Sequence, residues 1–147
     1  MRFVKKPIHL PVNYRFSYQL SIIILIIQYS CQKNVGSSTL KLQLLAWALR
    51  DEVGCESLLN RLKDKRTDRK FSFWALDPSL NRAIEFALAD GFISIKNEKF
   101  HITDKGQKII SKIDNERAFL EEILTLKRFG KSLTESFVND VLRNNND

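Results

Sequence analysis

The chain has 147 residues, 44% hydrophobic and 28% charged, with a formal net charge of +7: enough for one real core, too little for a second full domain. Its two cysteines form no C-x-x-C pair and its two histidines, His9 and His101, lie far apart, so no disulfide is implied and no four-ligand zinc pattern is visible. The positive excess sits in residues 1 to 50, which hold Arg2, Lys5, Lys6, Arg15, Lys33, Lys41 and Arg50 and no acid. Such an asymmetry suits an anionic partner, nucleic acid or an acidic protein surface, unless the end is merely a solvated tail.

From Met1 to Asn13, Pro7 and Pro11 and the lack of helical periodicity predict an extended basic arm. The stretch SIIILIIQYSC, Ser21 to Cys31, then looks like a secretion or lipoprotein signal. The unbroken run is only Ile22 to Ile27, whereas a membrane-crossing helix needs roughly 20 apolar residues. A signal would also place its apolar run directly after the basic start, and here Pro7, Pro11 and Asn13 intervene. A cytoplasmic protein without a membrane segment is expected.

Phe16 to Lys33 contains neither Gly nor Pro, and Phe16, Leu20, Ile23, Ile24 and Ile27 fall at helical spacing on one face. A helix is predicted, although the isoleucine cluster would also suit a buried strand. Ile22, Leu25, Ile26 and Tyr29 cover its opposite side, and a helix apolar all round is usually buried all round.

Ser37 or Ser38 can cap a second helix through Leu42, Leu45 and Leu49. Leu58, Leu59 and Leu62 precede the basic run RLKDKRTDRK, an exposed helix end or loop. Asp77-Pro78 is a helix start, with an N-cap and a proline at the first helical position, for a helix that stops at Gly91. FISIKNEKFHIT reads as a hairpin turning at Asn97-Glu98, and Thr103 can cap the following helix through Ile109, Ile110 and Ile113. Another amphipathic helix ends at Gly130, and Ser132-Leu-Thr-Glu135 has the capping-box pattern for a last one.

Helix, hairpin and capped helix, in LADGFISIKNEKFHITDKGQKII, resemble the end of many winged-helix domains. The expected fold is therefore mainly α with a small β-hairpin: a winged helix-turn-helix over residues 16–115 that includes the Ile-rich first helix, a basic extended arm over 1–15, and a C-terminal helical extension over 116–147. With the arm, the Ile-rich helix and SSTLKLQLLAWALRD in front, the chain also resembles the small middle components of bacterial three-component systems built around ABC-type ATPases, including Lamassu-type antiphage systems. That resemblance implies a winged-helix accessory subunit in a hetero-complex with a large SMC-like ABC ATPase, which carries the nucleotide chemistry, and with an effector, often a nuclease.

The residues themselves offer little for catalysis. There is no phosphate-loop, G-x-S-x-G or H-E-x-x-H signature, and Cys31 reads as a buried helix cysteine. No enzyme activity, cofactor or metal is expected. The Asp77 to Asp90 helix sets Arg82 against Asp77, Glu85 and Asp90, a poor composition for a major-groove reader, which needs phosphate-binding cations around its base contacts. Arg61, Lys63, Lys65, Arg66, Arg69 and Lys70, with Lys96 and Lys99 on the hairpin, are the candidate contacts to DNA backbone; a solvated loop is the alternative for the run. Phe71, Phe73 and Trp74 are expected in the core rather than in a single-strand stacking platform.

Large side chains worth ~1.5 to 3 kcal/mol each when buried exceed what one packing face of a small winged helix absorbs. The expectation is that Ile22, Leu25, Ile26 and Tyr29 meet a second protein, with Arg2, Lys5, Lys6 and Arg15 along an acidic surface beside them. The faces could be exchanged, or the C-terminal helices could cover the second face instead. A homodimeric winged-helix transcription regulator is the alternative function.

Overall fold

The computed structural model describes residues 12–63 and 76–145, which form seven helices and one two-stranded antiparallel sheet. The helices are α1 (Val12–Ser30), α2 (Thr39–Arg50), α3 (Glu52–Lys63), α4 (Pro78–Ala89), α5 (Asp104–Glu116), α6 (Leu120–Phe129) and α7 (Glu135–Asn145); strands β1 (Ile93–Lys96) and β2 (Lys99–Ile102) stand between α4 and α5. The protein is thus mainly helical with a small hairpin.

Helix α1 forms the axis of the fold. Ile23, Ile24, Leu25 and Ile26 have no exposed surface, and α2, α4, α5, α6 and β2 all pack on this one helix. It starts at Val12, inside the span read as arm, because the absence of Gly and Pro extends upstream of Phe16. The remaining arm residues lie outside the described ones. Although α1 is 19 residues long, no helix among the described residues is long and apolar enough to cross a membrane.

The assignment of one α1 face to a second protein is corrected by α6. Tyr18 meets Phe119 with ring centroids 5.6 Å apart, the Ser30 hydroxyl donates to the Leu126 carbonyl at 3.2 Å, and Lys127 lies over the Tyr29 ring at 5.4 Å. These contacts run from Tyr18 at one end to Tyr29 and Ser30 at the other, so α6 lies alongside α1 in the same direction. Ile22, Leu25 and Ile26 are buried within this chain, and Tyr29 is half-buried. One continuous core runs from α1 to Val138 and Val141 of α7, so the C-terminal helices belong to the same packing unit as the rest.

Local chemistry sets the element ends. Ser38 caps α2 by accepting from the Lys41 N–H at 3.1 Å, and Thr103 caps α5 by accepting from the Gly106 N–H at 3.2 Å. Asp51 separates α2 from α3, donating its N–H to the Trp47 carbonyl and accepting from the Gly54 N–H at 3.0 Å. At the hairpin tip Asn97 and Glu98 have φ of 53° and 63°, left-handed at both positions of a two-residue loop. The register pairs Ile93 with Ile102 and Lys96 with Lys99.

A short segment before α2 joins this sheet. Ser37 exchanges both backbone hydrogen bonds with Phe100, at 3.0 and 2.8 Å. Gly36 before it has φ of +74°, and a Cβ there would come within 2.5 Å of the Phe100 carbonyl oxygen, so only glycine fits.

Candidate functional site

Helix α4 is held at its first turn. Asp77 accepts from the Ser79 N–H at 2.9 Å and the Ser79 hydroxyl at 2.7 Å, both on Oδ1, while Oδ2 takes the Arg50 guanidinium at 3.0 Å. The Gln43 side chain accepts from the Asp77 N–H at 2.8 Å and donates to the Asp77 carbonyl and the Asn81 side chain. Burial pushes the Asp77 carboxyl up, but the Ser79 hydrogen bonds and the Arg50 charge outweigh it and hold the group below its usual range.

The outer surface of α4 is mixed. Arg82, Glu85 and Phe86 are exposed, and Phe86 meets Phe16 of α1 edge to face at 4.5 Å. Asp90 pairs with Lys105 at 3.4 Å, and Lys105 also sits 4.6 Å from the centre of the Phe92 ring. On the hairpin, Lys96 is exposed and Lys99 half-buried, next to exposed Ile95. These two lysines are brought together by the register; of the basic run, Lys63 stands exposed at the end of α3 and Arg61 is half-buried two residues earlier. Lys65, Arg66, Arg69, Lys70, Phe71, Phe73 and Trp74 lie outside the described residues, as do Arg2, Lys5, Lys6 and the side chain of Arg15.

Sequence reasoning missed two arrangements. The first is a buried polar cluster. Lys41, counted above with the basic end, is buried, and its ammonium donates to the Ser30 carbonyl at 2.6 Å, supplying the cation that the last turn of α1 lacks. Glu135 reaches across from α7, accepting from the Ser38 N–H at 2.9 Å and from its hydroxyl at 2.5 Å. The expected capping box at Ser132 is therefore corrected: Thr134 caps α7 by accepting from the Phe137 N–H at 3.1 Å, which leaves Glu135 for α2. Cys31 lies beside Lys41, and burial, opposed in part by the Lys41 charge, pushes its thiol up; Cys55 is raised by burial and then by Glu56. Both stay protonated and buried, which makes them poor nucleophiles.

The second is a cleft of about 360 Å³ between α1, α2 and the start of α4. Its lining combines apolar Ile22, Ala46 and Leu80 with polar Tyr18, Gln19, Arg50, Asp77 and Ser79. The Gln19 amide donates to the Ser79 hydroxyl at 2.6 Å. Tyr18 is 7% exposed, and its hydroxyl is pushed up to about 12 by burial and then by the Glu122 charge, with Arg50 opposing. No group of three His, Cys, Asp or Glu side chains converges as a metal site among the described residues.

Comparison with protein-family models, curated proteins and solved structures returns no match.

Proposed function

We propose that this chain is a non-catalytic, cytoplasmic accessory subunit of winged-helix type that docks on a large SMC-like ABC ATPase in a bacterial antiphage assembly and helps couple DNA engagement to an effector nuclease. The winged-helix part of the reading is supported by the order α2, α3, α4, hairpin, α5, and by the Ser37 segment hydrogen-bonded to Phe100 beside the hairpin. The observation that carries the protein-docking part is the surface of α4: where a groove reader needs unpaired cations, this helix exposes Arg82, Glu85 and Phe86. Among the apolar side chains left for a partner are Leu76, Phe86, Leu120 and Leu124, between 42% and 63% exposed, with Ile95 on the hairpin and Val53 on α3 also exposed. DNA enters this reading only through backbone contacts, with Arg61, Lys63, Lys96 and Lys99 as the described candidates.

Affinity purification of the intact chain from its host, with mass spectrometry and sizing, tests the proposal. Recovery of a coiled-coil ATPase in stoichiometric amount is expected, and Phe86→Ser should reduce it. Lys96→Glu with Lys99→Glu should weaken DNA binding by the assembled complex and flatten its salt dependence. A homodimer that footprints one operator would overturn the reading in favour of a transcription regulator, for which Leu120 and Leu124, exposed one turn apart on α6, would be the self-association surface.

A further inference from the structure

We propose that the outer edge of β1 takes up an extended segment of a partner protein as an added strand, one whose side chains alternate between acidic and apolar. Three observations on the hairpin select that occupant.

The direction of the main chain comes first. Both backbone groups of Phe100 are spent on Ser37, so they point away from β1. Because successive residues of a strand turn their N–H and C=O to opposite sides, the hydrogen-bonded pairs of the hairpin are Ser94 with His101 and Lys96 with Lys99. Ile95, opposite Phe100, therefore turns both groups to the outer edge, and among the described residues nothing bonds to either. The edge is closed at Ile93, 2% exposed, and open at Ile95, 58% exposed. An open strand edge is a template for another strand. Neither a helix nor a nucleic acid can supply the matching peptide groups.

The second observation is charge. Lys96 and Lys99 stand directly opposite each other on one face of the hairpin, where like charges are unfavourable, and among the described residues neither has an ion pair. An acidic side chain one strand out from Lys96 relieves that repulsion.

The third lies on the other face. Ile95 shares it with Phe100, and whereas Phe100 is core, the Ile95 side chain is left in water. An apolar side chain of the added strand covers it. Since side chains alternate between faces along a strand, an acid beside Lys96 and an apolar group beside Ile95 are successive positions of one segment. A second copy of β1 does not meet this pattern: on the lysine face it offers only Ser94 and Lys96, and the net charge of +7 opposes self-pairing. Lys96 and Lys99 are also the hairpin's candidates for DNA backbone, so strand and duplex exclude one another there.

The test titrates the full chain with the capped heptapeptide Ser-Glu-Val-Glu-Val-Glu-Ser at up to millimolar concentration, following backbone amide shifts and hydrogen exchange by NMR. Saturable shifts centred on Ile95 and Lys96 are expected, with about tenfold slower exchange of the Ile95 amide once nine-tenths of the chain is loaded. Lys96→Gln with Lys99→Gln should weaken the peptide about fivefold, the worth of two exposed ion pairs. Ile95→Pro removes the outward N–H without touching a bond between β1 and β2; it should abolish binding while the cross-strand contact of Ser94 with His101 persists. The same peptide with lysine in place of glutamate should not bind. An Ile95 amide already protected in the free chain, no saturable shift, equal binding of the lysine peptide, or unchanged affinity in Ile95→Pro would each overturn the proposal, as would a duplex oligonucleotide that shifts the Ile95 amide where the peptide does not. The peptide needs no ATPase, so a failed titration leaves the accessory-subunit reading untouched.

Discussion

Helices α1 and α4 each came from an apolar, helix-spaced pattern, yet the fold uses them in opposite ways. From Leu20 to Ile27 helix α1 is buried without a break and its isoleucines are at most 7% exposed, whereas α4 buries Leu80, Ala83, Ile84 and Ala87 and leaves Arg82, Glu85 and Phe86 outside. Greasiness therefore marks the part of this chain least available to a partner. The side chains that can meet another molecule belong to the weaker, more polar amphipathic helices.

The largest effect should follow from a charge placed in α1. Ile26→Asp puts an unpaired carboxylate where nothing is exposed, and a loss of roughly 4 kcal/mol or more is expected, enough to unfold the chain in a urea melt. Leu124→Asp on α6 is the counterpart; that side chain is 63% exposed, and stability should stay within about 0.5 kcal/mol. Equal losses in the two variants would erase the distinction between covered and open helices.

Phe129→Ala removes a buried ring from the α6 end of the cover and should cost about 3 to 5 kcal/mol by the same assay. Next comes Asp77→Ala, which deletes the α4 cap and the Arg50 partner, for about 1 kcal/mol. Because the folded Asp77 carboxyl sits below its ordinary value of 3.8, its stabilisation is full above that pH and is lost as pH falls through the lower folded value. The variant should lack that part of the acid slope, and an identical slope in both proteins would count against the capping geometry.

Tyr18 gives the smallest effect near neutral pH. Its hydroxyl is raised from 10.0 to about 12, so the stabilisation it brings is complete below pH 10 and disappears as pH rises toward the folded value. Alkaline melts should separate wild type from Tyr18→Phe only above about pH 10, with the variant the more resistant. Coincident alkaline curves would mean that the hydroxyl is better solvated than its burial implies.

Much of the fold was legible because caps and turns are local. Asp77-Pro78, Thr103 and Asn97-Glu98 each fixed an element end from two or three neighbouring residues. What sequence could not supply were partners far along the chain: Leu126 for Ser30, Glu135 for Ser38, and Gln43 for Asp77. The Ser-Leu-Thr-Glu pattern was read as self-sufficient, and its glutamate went to another helix. Of the interface residues assigned from hydrophobicity, Ile22, Leu25 and Ile26 turned out to be core, because periodicity reports which side chains avoid water and not which chain covers them. The cleft had no sequence signal at all, since its walls come from three separate helices.

The pairing of α1 with α6 also sets an order of events at the ribosome. Helix α1 leaves the tunnel before α6, and 96 residues separate Ser30 from its contact at Leu126. At about 5 to 20 residues per second, the nascent isoleucine stripe waits roughly 5 to 20 s for its cover. During that interval a holdase chaperone or a neighbouring nascent chain competes with α6 for the same surface, so codons that slow synthesis between α3 and α6 should lower the soluble yield without changing a single residue.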